Sequence, residues 1–184
     1  MKNVTAHQFG FCPECGLEKP GVHSDRFFSC KACGFRFFFN TAATVTAFIE
    51  NDHEELLLCR RGIDPGKNTL DLPGGFIEGG ETAEEALRRE VKEELNLDIE
   101  SMQYLGSMPG DYHYDGWRYD VLNMIFHCRV DNFRPIKANS DIAEYRFVNK
   151  NRINLSEIGL ESIRNIIREY QNPNKNNRST GGVV

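Results

Sequence analysis

Residues 82–95 leave the chain little choice of local structure. They read TAEEALRREVKEEL, strong helix formers with no proline or glycine to interrupt them. Thr82 and Glu85 stand three apart, the signature of a capping box. Ala83, Ala86, Leu87, Val91 and Leu95 supply one apolar face. Asn96 follows, and after glycine asparagine best tolerates the left-handed conformation that ends a helix.

The polar face of this predicted helix poses a problem. Glu90 and Glu94 are four apart and Glu93 is three from Glu90, so their carboxylates share a face. They repel one another, and an isolated helix gains nothing from that. A bound Mg²⁺ or Mn²⁺ reverses the sign, because hard divalent cations prefer carboxylate, carbonyl and water oxygens and bridge to phosphates. Upstream, Leu72-Pro73-Gly74-Gly75 brings glycines whose backbone can approach a metal closely. Taken alone, REVKEEL also reads as a charged, solvated helix. The glycines and Glu81 in register favour the metal-binding reading.

Gly75, Glu81, Arg89, Glu90, Val91, Glu93, Glu94 and Leu97 fall at the spacing of the Nudix box, G-x5-E-x7-R-E-U-x-E-E-x-G-U, with U a bulky aliphatic. Asn96, in place of the last glycine, is the one departure. The chain therefore resembles the Nudix family over residues 41–170. The resemblance implies a Nudix α/β/α sandwich with a mixed sheet and metal-dependent hydrolysis of a diphosphate bond. It implies that Glu90, Glu93 and Glu94, with the Gly74 carbonyl, hold Mg²⁺ or Mn²⁺. It also implies that Arg89 orients a catalytic glutamate and that Glu81 supports the site from the helix start. The proton acceptor is either a box glutamate or Glu144, whose Glu-Tyr-Arg-Phe run resembles the family's downstream glutamate segment. Glu144 also reads as a surface residue at a strand edge.

A second signal precedes the first. Cys12-Pro13-Glu14-Cys15 and Cys30-Lys31-Ala32-Cys33 are paired C-x-x-C knuckles, each followed by a glycine, Gly16 or Gly34. Four thiolates at this spacing predict a tetrahedral Zn²⁺ site of the zinc-ribbon kind. Bound zinc would supply much of the folding energy of so short a module. The opening MKNVTAHQFGF has no sustained apolar run, so a cytoplasmic setting without disulfides is expected. Cys59 and Cys128 lie in apolar runs and read as core residues. Phe27, Phe28, Phe35, Phe37, Phe38 and Phe39 are interleaved with Arg26, Lys31 and Arg36. They read either as a surface that docks on the next domain or as stacking platforms for nucleobases. The formal charge of −5 argues against a dedicated nucleic-acid binder, and no run approaches membrane-spanning length.

The predicted organisation is a ribbon over residues 1–40, a hydrolase domain over 41–172 and a disordered tail over 173–184. Strands are expected at 41–49, 56–60, 99–107, 119–130 and 145–148. An aromatic loop is expected at 108–118, and a helix at 156–170 capped by Ser156. Tyr112, Tyr114 and Trp117 in that loop are candidate stacking partners for a base, and Arg60, or its neighbour Arg61, for a phosphate.

A zinc ribbon joined to a Nudix domain resembles the NADH pyrophosphatase arrangement. That subgroup carries SQPWPFPxS after the box, of which only Ser107-Met108-Pro109 matches a Ser-x-Pro start here. The expected substrate is a nucleoside diphosphate linked to another moiety, such as ADP-ribose or an NADH-like dinucleotide, releasing a nucleoside monophosphate. Two other functions are a non-catalytic nucleotide-sensing regulator and a nucleic-acid-binding protein led by its ribbon. A homodimer is a further expectation.

Overall fold

The computed structural model describes residues 2–3, 9–19, 21–24 and 26–172. The tail expected at 173–184 lies outside them. The ribbon carries β2 (Gly21–Ser24), β3 (Phe27–Ser29) and β4 (Arg36–Phe38), an antiparallel sheet in the order β2-β3-β4. Its knuckles repeat one hydrogen-bond pattern. Gly16 N–H donates to the Cys12 carbonyl at 2.9 Å and Gly34 N–H to the Cys30 carbonyl at 3.0 Å. Both glycines take positive φ, +72° and +76°, which glycine adopts at little steric cost. The ring contacts of Phe28, Phe35, Phe37 and Phe39 are with Phe9 and one another, and Phe27 stacks on Phe38. Phe28 is thus the buried centre of the ribbon's aromatic cluster, while Phe37 and Phe38 stay exposed.

The main domain is a mixed sheet flanked by helices. β5 (Ala42–Ile49) runs parallel to β10 (Trp117–Val130) and antiparallel to β8 (Gly74–Phe76). β9 (Ile99–Tyr114) pairs antiparallel with the other side of β10. β1 (Lys2–Asn3) continues the line of β5 along β10, so the chain touches the main sheet before it enters the ribbon. A second sheet has the order β11-β6-β7, from β11 (Ile142–Asn149), β6 (Glu55–Arg61) and β7 (Leu70–Asp71).

Strand alternation divides the core. Val45, Ala47 and Ile49 of β5, with Phe126 and Cys128 of β10, pack against α1 (Ala83–Leu95) through Ala86, Leu87, Val91 and Leu95. Phe48 and Ile125 face the other way and pack against Ile163, Ile166 and Ile167 of α2 (Glu161–Gln171). The predicted capping box is present: Glu85 N–H donates to Thr82 Oγ1 at 3.2 Å and Thr82 N–H to Glu85 Oε2 at 2.8 Å. Asn96 ends α1 with φ +54°, in the left-handed region.

Two expectations are corrected. The stretch 108–118 is not a loop, because β9 and β10 continue through it and pair Tyr114 with Trp117 across Asp115-Gly116. Those two residues take φ +47° and +79°, the primed geometry that suits a two-residue hairpin. The final helix starts at Glu161 rather than at Ser156. Gly159 lies so close to β7's approach that an added Cβ would stand 2.0 Å from Thr69 Oγ1. Ser156 belongs to a separate 3-10 turn, where its N–H donates to Asn154 Oδ1. Among the described residues, no helix is long and apolar enough to cross a membrane.

Candidate active site

A cavity of about 220 Å³ opens where β8, α1, β7 and the start of α2 meet. The glycines of β8 let it form. A Cβ on Gly75 would stand 2.4 Å from Glu90 Oε1, and one on Gly74 would stand 2.0 Å from the Val45 carbonyl oxygen. The polar face of α1 can therefore reach round the sheet edge and present Glu90 and Glu94 to the cavity.

Glu94 is buried, and Gly74 N–H donates to its Oε2 at 3.1 Å. Burial pushes its carboxyl well above the usual range, and the neighbouring Asp71 and Glu90 charges add to this. Burial also raises Glu90, although Arg89 opposes it. Glu93 is more exposed and does not line the cavity. Arg89 ties the group together. Its Nε donates to Glu81 Oε1 at 2.7 Å, one terminal nitrogen reaches Glu90 Oε1 at 2.9 Å, and the other reaches the Phe76 carbonyl at 3.0 Å. Glu93 Oε2 stands 3.4 Å from the same guanidinium. The Arg89 contact holds the Glu81 carboxyl down at about 2.

Asp71 was given no role from sequence, and Arg61 was named there only as an alternative to Arg60. Asp71 is buried and lies 2.6 Å from Arg61, whose Nε also donates to the Pro65 carbonyl at 2.6 Å. Burial raises the Asp71 carboxyl despite this partner. The pair arises from the pairing of β6 with β7, which local sequence does not announce. Tyr112 lies beside Arg61, and its ring meets Phe76 edge-on at 5.2 Å.

The remaining candidates stand apart. Tyr114 and Trp117 sit at the far end of the hairpin and do not line the cavity. Arg60 is held by Glu144, 2.5 Å away across the β6–β11 pairing. Neither residue lines the cavity.

The lining carries five carboxylates, Asp71, Glu78, Glu90, Glu94 and Asp141, against one guanidinium, Arg61. Burial favours the neutral forms of Asp71, Glu90 and Glu94, and a divalent cation among them would favour the ionised ones. The carboxylates of Glu90 and Glu94 are the hard oxygen ligands that Mg²⁺ or Mn²⁺ takes. In the ribbon, Cys12 and Cys33 Sγ lie 3.7 Å apart and Cys15 and Cys30 Sγ 3.6 Å apart, with all four sulfurs inside 4.8 Å. A tetrahedron with zinc–sulfur arms of about 2.3 Å has edges of about 3.8 Å, so the quartet fits zinc.

Comparison with known proteins agrees with this geometry. The NUDIX domain family model matches residues 40–170. ADP-ribose pyrophosphatase of Methanocaldococcus jannaschii is 35% identical over 136 residues, covering 74% of this chain and 76% of that protein. NAD-capped RNA hydrolase NudC of Pseudomonas fluorescens is 33% identical over 156 residues, covering 76% of this chain. This chain spans 55% of that relative's length, and 38% of the NudC of Haemophilus influenzae. The crystal structure of a NUDIX hydrolase from Nitrosomonas europaea superposes with a TM-score of 0.69 over 89% of this chain and 90% of its own, at 23% identity. With the box on α1, the sheet around it and the match across the main domain, the chain belongs to the Nudix hydrolase family.

Proposed function

We propose that the protein hydrolyses the diphosphate bond of a nucleoside diphosphate linked to a second, small moiety. The observation that carries this reading is the acidic lining of the cavity, five carboxyl groups against Arg61, behind a helix that bears the Nudix box. Glu90, Glu93 and Glu94, with the Gly74 carbonyl, would hold Mg²⁺ or Mn²⁺. Bound there, the ions would neutralise the diphosphate and lower the pKa of an attacking water. That water adds to one phosphorus, the bridging P–O bond breaks, and a nucleoside monophosphate leaves with a phosphorylated partner.

The chain's own groups have separable tasks. Arg89 is a positioning residue, since its donors are taken up by Glu81, Glu90, Glu93 and the Phe76 carbonyl. Arg61, held by Asp71, offers the cavity's one positive side chain to a phosphate oxygen. The proton from water falls to a box carboxylate, because Glu144 is occupied by Arg60 and lies outside the cavity lining. Phe76 and Tyr112 offer ring faces to the base, a role expected of Tyr112 and also of Tyr114 and Trp117. Four cysteines, Cys12, Cys15, Cys30 and Cys33, hold a structural Zn²⁺.

ADP-ribose is the favoured substrate, supported by the relative that carries that activity in its name and that this chain spans over most of its length. A capped RNA end or NADH is a second reading, supported by the NudC relatives and the ribbon. It is weakened by the loss of all but Ser107-Met108-Pro109 from the NADH segment. The test is product analysis with Mg²⁺ or Mn²⁺ on ADP-ribose, NADH, diadenosine polyphosphates, a UDP-sugar and NAD-capped RNA. AMP formed fastest from ADP-ribose is the expected result. Preference for NADH or capped RNA would move the assignment to the second reading. Nucleotide binding with no turnover of any compound would favour a sensor.

A further inference from the structure

The cavity has unlike halves. The charged groups gather around β8, α1 and β7. Where α2 begins over β5 and β10, the wall carries no charged side chain: Thr46, Asn123 and Ser162 stand among Val121, Leu160 and Ile163. These three polar residues are only 3%, 4% and 6% exposed.

Their hydrogen-bonding capacity is mostly unspent. Asn123 Oδ1 accepts from Thr44 Oγ1 at 3.0 Å, and its Nδ2 donates to the Met108 carbonyl at 3.2 Å. One N–H and one acceptor site of the amide remain. Among the described residues, the hydroxyls of Thr46 and Ser162 have no hydrogen-bond partner. Neither oxygen is among the fully enclosed side-chain atoms left without a partner, so both open to the cavity and can bond what enters it. The helix behind them adds donors. Leu160 at the N-cap of α2 gives no side-chain cap, which leaves the first-turn N–H groups open. Gly110 fixes this arrangement, because a Cβ there would stand 2.7 Å from Ser162 Cβ, so α2 sits hard against β9.

We propose that this wall is the subsite for a neutral, hydroxyl-rich sugar on the far side of the diphosphate, selected by Thr46, Asn123 and Ser162. The assignment rests on the diphosphate-hydrolase reading above. Sugar hydroxyls both donate and accept, which matches two free hydroxyls and half an amide. A nucleobase is held by stacking, and the rings that line the cavity, Phe76 and Tyr112, belong to the other half. An anion is disfavoured at this end, because the Glu161 carboxylate already stands at the start of α2. Size agrees. About 220 Å³ is below the roughly 300–1,000 Å³ of pockets that enclose whole ligands, so one small ring is enclosed and the nucleoside stays at the rim.

The test compares ADP-ribose with the β-methyl ester of ADP, which keeps nucleoside and diphosphate but lacks the sugar. Wild-type protein should prefer ADP-ribose in kcat/KM. The double variant Thr46→Val, Ser162→Ala should reduce that preference by roughly tenfold or more, at about threefold to tenfold per neutral hydrogen bond. A ratio cancels any loss of folded protein. An unchanged preference overturns the proposal. If neither compound is hydrolysed, the ADP-ribose assignment fails, and the affinities of the same two compounds decide the wall. Tighter binding of ADP-ribose that the double variant abolishes supports the sugar subsite, and equal binding overturns it.

Discussion

Gly75→Ala isolates the placement of a carboxylate from the stability of the fold. The new Cβ would stand 2.4 Å from Glu90 Oε1, where real Cβ contacts under 3.0 Å are essentially never found, so the carboxylate must retreat by at least 0.6 Å. The atom that yields is the end of a flexible side chain, and Gly75 has no positive φ, so the backbone is not strained. The cost in stability should stay within about 1 kcal/mol, which at this chain length is a shift of roughly 2–4 °C in Tm. Catalysis is less forgiving. A misplacement approaching 1 Å can cost about a hundredfold in rate, and the Arg89 contact at 2.9 Å would be disturbed with it. Steady-state hydrolysis of ADP-ribose beside thermal unfolding should therefore show kcat down by about 30- to 100-fold with Tm nearly constant. Full activity in the variant, or a loss explained by unfolding, would refute the reasoning.

The neighbouring glycine should behave in the opposite way. Gly74→Ala places a Cβ 2.0 Å from the Val45 carbonyl oxygen at a residue with φ +140°, so it should cost at least about 3 kcal/mol and lower Tm measurably, unlike Gly75→Ala. Burial raises the Glu94 carboxyl in the metal-free protein, so between the ordinary value of 4.5 and the folded value the native state holds more protons than the unfolded one. Stability should thus fall as pH rises through that window, and Glu94→Gln should flatten the slope; parallel Tm–pH curves for the two proteins would count against it. Arg61→Lys keeps the charge and loses the planar fork, so KM should rise about tenfold with a smaller change in kcat, whereas an unchanged KM would remove Arg61 from the phosphate site. Metal analysis should find about one zinc per chain, lost in Cys15→Ser, and a zinc-free wild-type protein prepared with zinc would contradict the ribbon assignment.

How far the sequence could be read depended on how local the cause was. α1 was legible in full, because its capping box, apolar face and Asn96 stop are all properties of one segment. The spacing of Glu90 and Glu94 likewise placed both at one cavity. The hairpin is hard to read although Asp115-Gly116 is a strong turn signal, because β9 buries only its first residue and so lacks the alternation that marks a half-buried strand. The start of α2 was misplaced because Gly159 is dictated by Thr69, distant in sequence. β7 and β8 have two and three residues, too few for alternation to show. The Arg61–Asp71 pair and the neutral wall of Thr46, Asn123 and Ser162 come from strand pairing and helix packing across the chain. Residue spacing alone does not carry such groupings.

Everything proposed for this site turns on the carboxylates of α1 running metal-dependent cleavage of a diphosphate. It is tested most directly by the kcat for ADP-ribose at saturating Mg²⁺, measured for wild type and Glu94→Gln. The exchange is nearly isosteric and removes one ligand charge while the side-chain oxygen can still accept from Gly74 N–H. Wild type should show turnover that chelation abolishes, and the variant a fall of about a hundredfold to a thousandfold, on the scale of losing one group that stabilises transition-state charge. Turnover in the variant within tenfold of wild type, or hydrolysis that survives chelation, would contradict that role of the carboxylates.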